Sequence, residues 1–209
     1  MTDTRLVGRV AEVVALDRLR AAAAGGRGAV ALLTGEPGIG KTAVVEEAVA
    51  RAEASGLTVL TGRADPDEGA PAYWPWLRLL SGSQVAGLTP ALLAVREDAG
   101  ESAAAARFRV EHDTIRALCT SGPLLLVLED LHWADAASLS LLRRLAAEIS
   151  DTPLLVIGTA REAPDITAEV LALSPLSAAE VGAYLSPAHP TWTPVVHRLS
   201  GGIGTLNNP

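Results

Sequence analysis

The chain has 209 residues, with 17 basic and 24 acidic side chains and a net charge of −7. That length suffices for one domain with a sizeable core, and the acidic balance, with no basic arm or stripe, argues against direct nucleic-acid binding by this chain. One cysteine, Cys119, excludes an intrachain disulfide framework, and the absence of a signal-like start or a membrane-length apolar run makes the cytoplasm the expected compartment, with no membrane partner.

In chain order, residues 10–24 read as a helix with Val10, Val13, Val14, Leu16 and Leu19 mostly on one side. The apolar run 29–33 reads as a buried strand ahead of a glycine-rich turn. Residues 42–54 follow as a helix and 57–60 as a second strand. Residues 61–75 form a loop rich in glycine, proline and acids, which carries Tyr73, Trp74 and, just beyond it, Trp76. This aromatic cluster has two readings, packing under a long crossover or an exposed partner-binding patch, and packing is preferred. Short helices are expected at 76–80 and 90–95. A long one is expected at 103–118, with Phe108, Ile115 and Leu118 facing inward.

Residues 124–128 form a third strand. Residues 136–149 give the clearest helical period, with Asp135 as its N-cap and Trp133 as a packing residue. Residues 154–158 are a fourth strand, and Ser177 with Glu180 fits a capping box opening a helix through Leu185. Strands alternating with helices imply an α/β fold with a parallel sheet and helices on both faces.

Three segments carry chemistry. Gly35-Glu36-Pro37-Gly38-Ile39-Gly40-Lys41-Thr42 fills every fixed position of G-x-x-x-x-G-K-[ST]. Glycines let backbone N–H groups turn around phosphate oxygens, and the following helix aims its positive end at the same charge. Lys41, the chain's one lysine, is expected to reach the β- and γ-phosphates of ATP, and the Thr42 hydroxyl to ligate Mg²⁺. The strand at 124–128 ends in Glu129 and Asp130, an apolar strand closed by acids. One acid is expected to hold Mg²⁺ and the other to polarise the attacking water, with the roles left unassigned because glutamate precedes aspartate here. The strand at 154–158 should lie between the other two and end at Arg161, a candidate γ-phosphate sensor; the competing reading is a surface arginine. His132 is read as a loop or packing residue. The four histidines and Cys119 lack metal-ligand spacing.

Taken together, Leu6-Val7-Gly8-Arg9 with Glu12, the P-loop, the run Leu126-Val127-Leu128-Glu129-Asp130-Leu131-His132-Trp133-Ala134-Asp135 and Gly158-Thr159-Ala160-Arg161 resemble the ATPase module of large bacterial LuxR-type transcription regulators. These are signal-transduction ATPases with numerous domains, within the AAA+-like branch of P-loop NTPases. The resemblance implies a core over residues 1–173 and the start of a helical lid over 174–209. It places Val7, Gly8 and Arg9 beside the base. Leu173-Ser174-Pro175-Leu176-Ser177 with Glu180, Tyr184 and Leu185 resembles the lid's opening, whereas 203–209 depart from the turn that completes it. The implied function is an ATP-binding regulatory module with slow Mg²⁺-dependent hydrolysis, without downstream sensor and DNA-binding domains, and with a protein partner or self-association. The alternatives are a stand-alone ATPase driving a partner and a truncated inactive product.

Overall fold

A computed structural model describes residues 6–66, 69–85, 87–94 and 102–185. The elements in order are α1 (Val10–Ala24), β1 (Ala29–Thr34), α2 (Lys41–Ala54), β2 (Thr58–Arg63), α3 (Trp74–Ser81), α4 (Ala103–Thr120), β3 (Leu124–Glu129), α5 (Ala136–Glu148), β4 (Leu154–Ala160), β5 (Glu169–Ala172) and α6 (Ala178–Leu185). Short 3-10 turns lie at Pro90–Leu93, Leu131–Trp133 and Ile149–Asp151. The five strands form one parallel sheet in the order β2-β3-β4-β1-β5.

The strand sequences explain the layers. Successive side chains of a strand point to opposite faces. In β3, Leu124, Leu126 and Leu128 enter one apolar cluster with α3, α4 and α5, while Leu125 and Val127 enter another with α1 and α2. A strand apolar at every position therefore needs helices on both faces, as the sequence implied. The strand over 154–158 does lie between the P-loop and Glu129 strands, and it runs on to Ala160.

Between β2 and β3 the aromatic cluster does pack. Tyr73 and Trp76 are buried, and the Trp76 indole donates to the Ser138 carbonyl on α5 at 3.2 Å. The Tyr73 hydroxyl donates to Glu111 of α4 at 3.0 Å, and Arg144 of α5 pairs with the same carboxylate at 3.0 Å. Burial pushes the Tyr73 hydroxyl pKa well up, and the Glu111 carboxylate pushes it further. Asp135 caps α5 as expected, accepting from the Ser138 backbone N–H at 3.0 Å, and it also accepts from the Tyr73 backbone N–H at 3.3 Å. One carboxylate thus ties the end of the β2–α3 loop to the start of α5.

Several expectations are corrected. Phe108 is exposed at the margin of the buried face of α4, which runs through Ala106, Val110, Glu111, Thr114, Ile115 and Leu118; Arg144 covers its ring at 4.1 Å. Val10 and Val14 are exposed, and Leu16, Leu19 and Ala23 carry the burial of α1. Trp133 is 46% exposed rather than packed. β5 was not anticipated. The capping box at Ser177 and Glu180 is present, with reciprocal bonds of 2.7 and 3.3 Å. The part of the expected lid beyond Leu185, including 203–209, lies outside the described residues.

Gly62 sets how closely α3 approaches the sheet. A Cβ there would lie 2.0 Å from the Pro75 carbonyl oxygen and 3.0 Å from Leu79 Cβ. Gly62→Ala is therefore expected to push α3 off β2 and destabilise the fold by about 2 kcal/mol or more, in the range of severe overpacking. Urea unfolding measures it; an unchanged midpoint would show that the contact yields freely.

Candidate functional site

The parallel sheet places the carboxyl ends of its strands along one edge, where ligands of open α/β sheets sit. Strand register puts four groups in a row there. Arg63 pairs with Glu129 across β2 and β3, β4 follows, and Thr34 of β1 pairs with Ala160 of β4. The residues just past β1, β3 and β4 are Gly35, Asp130 and Arg161, so all three sequence-predicted segments meet at this edge.

The P-loop joins β1 to α2. Gly35, Gly38 and Gly40 adopt positive φ of 143°, 78° and 103°, conformations that side chains disfavour. The loop is pinned by Gly35 N–H donating to the Arg161 carbonyl at 3.2 Å and by Ile39 N–H donating to the Glu36 carbonyl at 3.2 Å. Ile39 buries its side chain beneath it. Gly40 is the N-cap of α2 and offers no side chain to cap it. The first amides of an α-helix have no intrahelical acceptor, so those of α2 present donors and the positive end of the helix to the loop's concavity. That is the donor set a phosphate requires.

Charged groups around the loop are already engaged. Lys41 Nζ donates to the Gly35 and Glu36 carbonyls at 2.6 and 3.0 Å. Burial lowers its pKa, Asp130 and Glu36 oppose that, and Arg161 adds to it. Asp130 follows β3 in a left-handed conformation (φ 57°), fixed by its backbone N–H donating to the Thr159 hydroxyl at 2.9 Å. Its carboxylate pairs with Arg63 at 2.6 Å. Glu129 is raised in pKa by burial, lowered by Arg63, and raised again by Asp130 and Glu46. Arg161 is exposed, with its guanidinium 5.6 Å over the Trp133 ring.

His132 sits in the turn after Asp130, and its pKa is lowered by burial, against Asp130 and with Arg161 and Lys41. Its Nδ1 is the one buried side-chain polar atom without a hydrogen-bond partner among the described residues. On the other side of the P-loop, Arg9 is buried and donates to the Ile39 carbonyl at 2.8 Å. A Cβ on Gly8 (φ 74°) would meet Leu176 at 2.7 Å and Glu180 at 2.8 Å. Gly8, Arg9, Ala172, Ser174, Pro175 and Glu180 line an open cleft of about 340 Å³. Val7 lies between Leu6 and Gly8 without lining it.

Sequence reasoning did not single out Arg63, and it held Thr159 only as part of the Gly158-Thr159-Ala160-Arg161 segment, without its bond to Asp130. Arg63 closes β2 opposite Glu129, a relation that exists only once β2 and β3 pair. Thr159 had a signal, a polar residue in an otherwise apolar strand.

The sequence matches the AAA ATPase domain over residues 5–157. The chain belongs to that family. AAA ATPase domains bind nucleotide, typically with Mg²⁺, and the glycine cradle above α2 fits that group. No set of three or more His, Cys, Asp or Glu side chains forms a metal cage among the described residues.

An uncharacterized protein of Rhizobium meliloti (strain 1021) is 28% identical over 247 residues, covering 95% of this AAA ATPase chain and 24% of the relative. The chain thus spans about a quarter of that relative's length. A chain in the structure of Drosophila ORC bound to DNA superposes with a TM-score of 0.62 at 16% identity, covering 95% of this chain and 52% of that one; this likeness concerns the fold. A STAND ATPase with a tetratricopeptide repeat sensor from Pyrococcus horikoshii aligns at 18% identity with a TM-score of 0.48, covering 90% of this chain and 28% of that chain. No helix among the described residues is long and apolar enough to cross a membrane.

Proposed function

We propose that this AAA ATPase domain is a regulatory ATP-binding module, of the kind found in LuxR-type regulators, in which Mg²⁺-dependent hydrolysis to ADP and phosphate is slow and resets a switch. The supporting observation is that three charged groups at the strand ends beside the phosphate cradle, Lys41, Asp130 and Arg161, have protein partners. Lys41 holds the Gly35 and Glu36 carbonyls, Asp130 holds Arg63, and Arg161 rests over Trp133. Lys41 and Arg161 would exchange those partners for phosphate oxygens, and Asp130 would exchange Arg63 for the attacking water. Binding is thereby linked to rearrangement at the P-loop, at the end of β2 and at the turn after β3.

In this reading the loop from Gly35 to Thr42 wraps the phosphates, with the backbone N–H groups of Gly38, Gly40, Lys41 and Thr42 as donors, while Glu36 and Pro37 shape the turn and the Gly35 and Ile39 N–H groups pin it. Lys41 turns from the carbonyls to the β- and γ-oxygens. Mg²⁺, when bound, supplies charge neutralisation at the phosphates. Thr42 and Glu129 would hold it. Asp130 would orient the attacking water once Arg63 releases it, and Arg161 would read the γ-phosphate. Gly8 and Arg9 would flank the base in the cleft shared with Ser174 and Glu180, with Val7 behind them in the chain. We take residues 1–173 as the core and 174–209 as the beginning of a lid, in a cytoplasmic protein whose signal reaches a protein partner or a second copy.

The test is single-turnover chemistry with [γ-³²P]ATP on the purified chain. The expected result is retention of nucleotide over many minutes with release of one phosphate per site at a rate far below the typical ~10 s⁻¹ of metabolic enzymes. Rapid steady turnover without any partner would instead make the chain a stand-alone ATPase.

A further inference from the structure

Beside the turn that carries His132 and Trp133 lies a second cleft, of about 180 Å³, that the nucleotide reading does not use. Trp74, Trp133, Pro75 and Ala70 form its apolar walls, and Asp65 and Asp135 its acidic ones. Asp65 accepts from the Trp74 indole at 3.0 Å and from Arg78 at 2.7 Å. The Trp74 hydrogen bond, with Arg78 and Arg63 nearby, keeps Asp65 ionised against its partial desolvation. Both of its bonds fall on one oxygen, and a carboxylate has about four acceptor sites. Trp133 is the most exposed tryptophan of the described residues, at 46%. Each indole of the cleft already carries a guanidinium from this chain: Arg78 lies 5.9 Å from the Trp74 ring centre, and Arg161 5.6 Å from that of Trp133. Indole faces attract guanidinium groups by stacking and by the ring quadrupole, and an adjacent carboxylate adds a bonded partner.

We infer that this cleft is a docking site for an arginine side chain of a protein partner, seated between Trp74 and Trp133 against Asp65. The net charge of −7 steers a basic segment toward it. Arginine is favoured over lysine because a planar guanidinium stacks on indole and bonds carboxylate through two N–H groups at once. The cleft also reports nucleotide state, a part that rests on the reading of Arg161 given above. Phosphate that draws Arg161 off Trp133 vacates the indole for the partner's arginine. Nucleotide and partner then strengthen each other's binding by the same factor.

Indole N–H signals of the ¹⁵N-labelled full chain, assigned by single Trp→Phe variants, test this with an acetyl-Gly-Arg-Gly-amide peptide and its citrulline isostere. The expected result is movement of the Trp74 and Trp133 signals but not of Trp76, at least ten-fold weaker binding of the citrulline peptide, and loss of binding in Asp65→Asn while the Trp76 signal stays in place. Equal response to both peptides, or none, overturns the site. Movement of the same signals with protein concentration alone assigns the cleft to a second copy of this chain and overturns a separate partner. With Mg²⁺ and a slowly hydrolysed ATP analogue, arginine-peptide affinity should rise several-fold in the natural chain and stay constant in Arg161→Gln. Bound nucleotide without any such rise overturns the coupling. Failure of nucleotide to bind refutes the P-loop reading and the coupling that rests on it, while the nucleotide-free titration still decides the cleft.

Discussion

Replacing Lys41 by alanine is expected to weaken Mg·ATP binding by two orders of magnitude or more. Hydrogen bonds from an ammonium to phosphate oxygens are charge-assisted, each contributing about 1.5–3 kcal/mol. Losing two of them costs ~3 kcal/mol or more, which is at least a hundred-fold in affinity. Burial already works against the Lys41 charge, so phosphate oxygens offer it a better counter-charge than the two carbonyls that now hold it. Lys41→Met keeps most of the aliphatic stem and should lose as much as Lys41→Ala, because the charge and not the packing is responsible. Titration calorimetry on variants with natural circular dichroism measures both. Undiminished affinity in either would remove the P-loop assignment.

The second large effect falls on chemistry and spares binding. Glu129→Gln together with Asp130→Asn keeps shape and hydrogen-bonding capacity but removes both charges. Phosphate release is expected to fall by ~10²–10⁴-fold, the usual loss for a positioned acid or base, while nucleotide still occupies the loop amides. Folding should barely change. Arg63, the partner of Asp130, is 57% exposed along its side chain, and ion pairs that open to water contribute little stability. Turnover equal to that of the natural chain would show that neither acid belongs to the reaction. The single variants separate the proposed roles: Glu129→Gln should raise the Mg²⁺ concentration needed for half-maximal activity, and Asp130→Asn should slow hydrolysis at saturating Mg²⁺.

The central strands and the P-loop were legible because their signals are local. Runs such as Leu124 to Leu128 are apolar at every position, and the loop's glycines announce its conformation. What escaped depends on pairings across the chain. β5 has only four residues and begins with an acid; its strand character comes from parallel pairing with β1. Arg63 gains meaning from its register with Glu129, and the exposure of Trp133 from Arg161, which arrives 28 residues later to share its ring. Phe108 is a different kind of miss. It lies seven residues before the buried Ile115, about 20° from it in helical phase, so spacing admitted it to the inward face; it falls at the margin of that face, with its ring against Arg144 of α5.

β5 has one more consequence. Among the described residues this outer strand pairs with β1 alone, so its other flank offers main-chain donors and acceptors that a strand from another molecule can extend. The hazard is contained by brevity and by charge: Glu169 stands at its start, clasped by Arg18 of α1 at 2.6 Å. That clasp acts as a guard against edge-to-edge stacking into aggregates rather than as a source of stability. Neutralising it would leave Val170, already 47% exposed, on an open rim, and the price would appear as turbidity on standing, with the melting temperature unmoved.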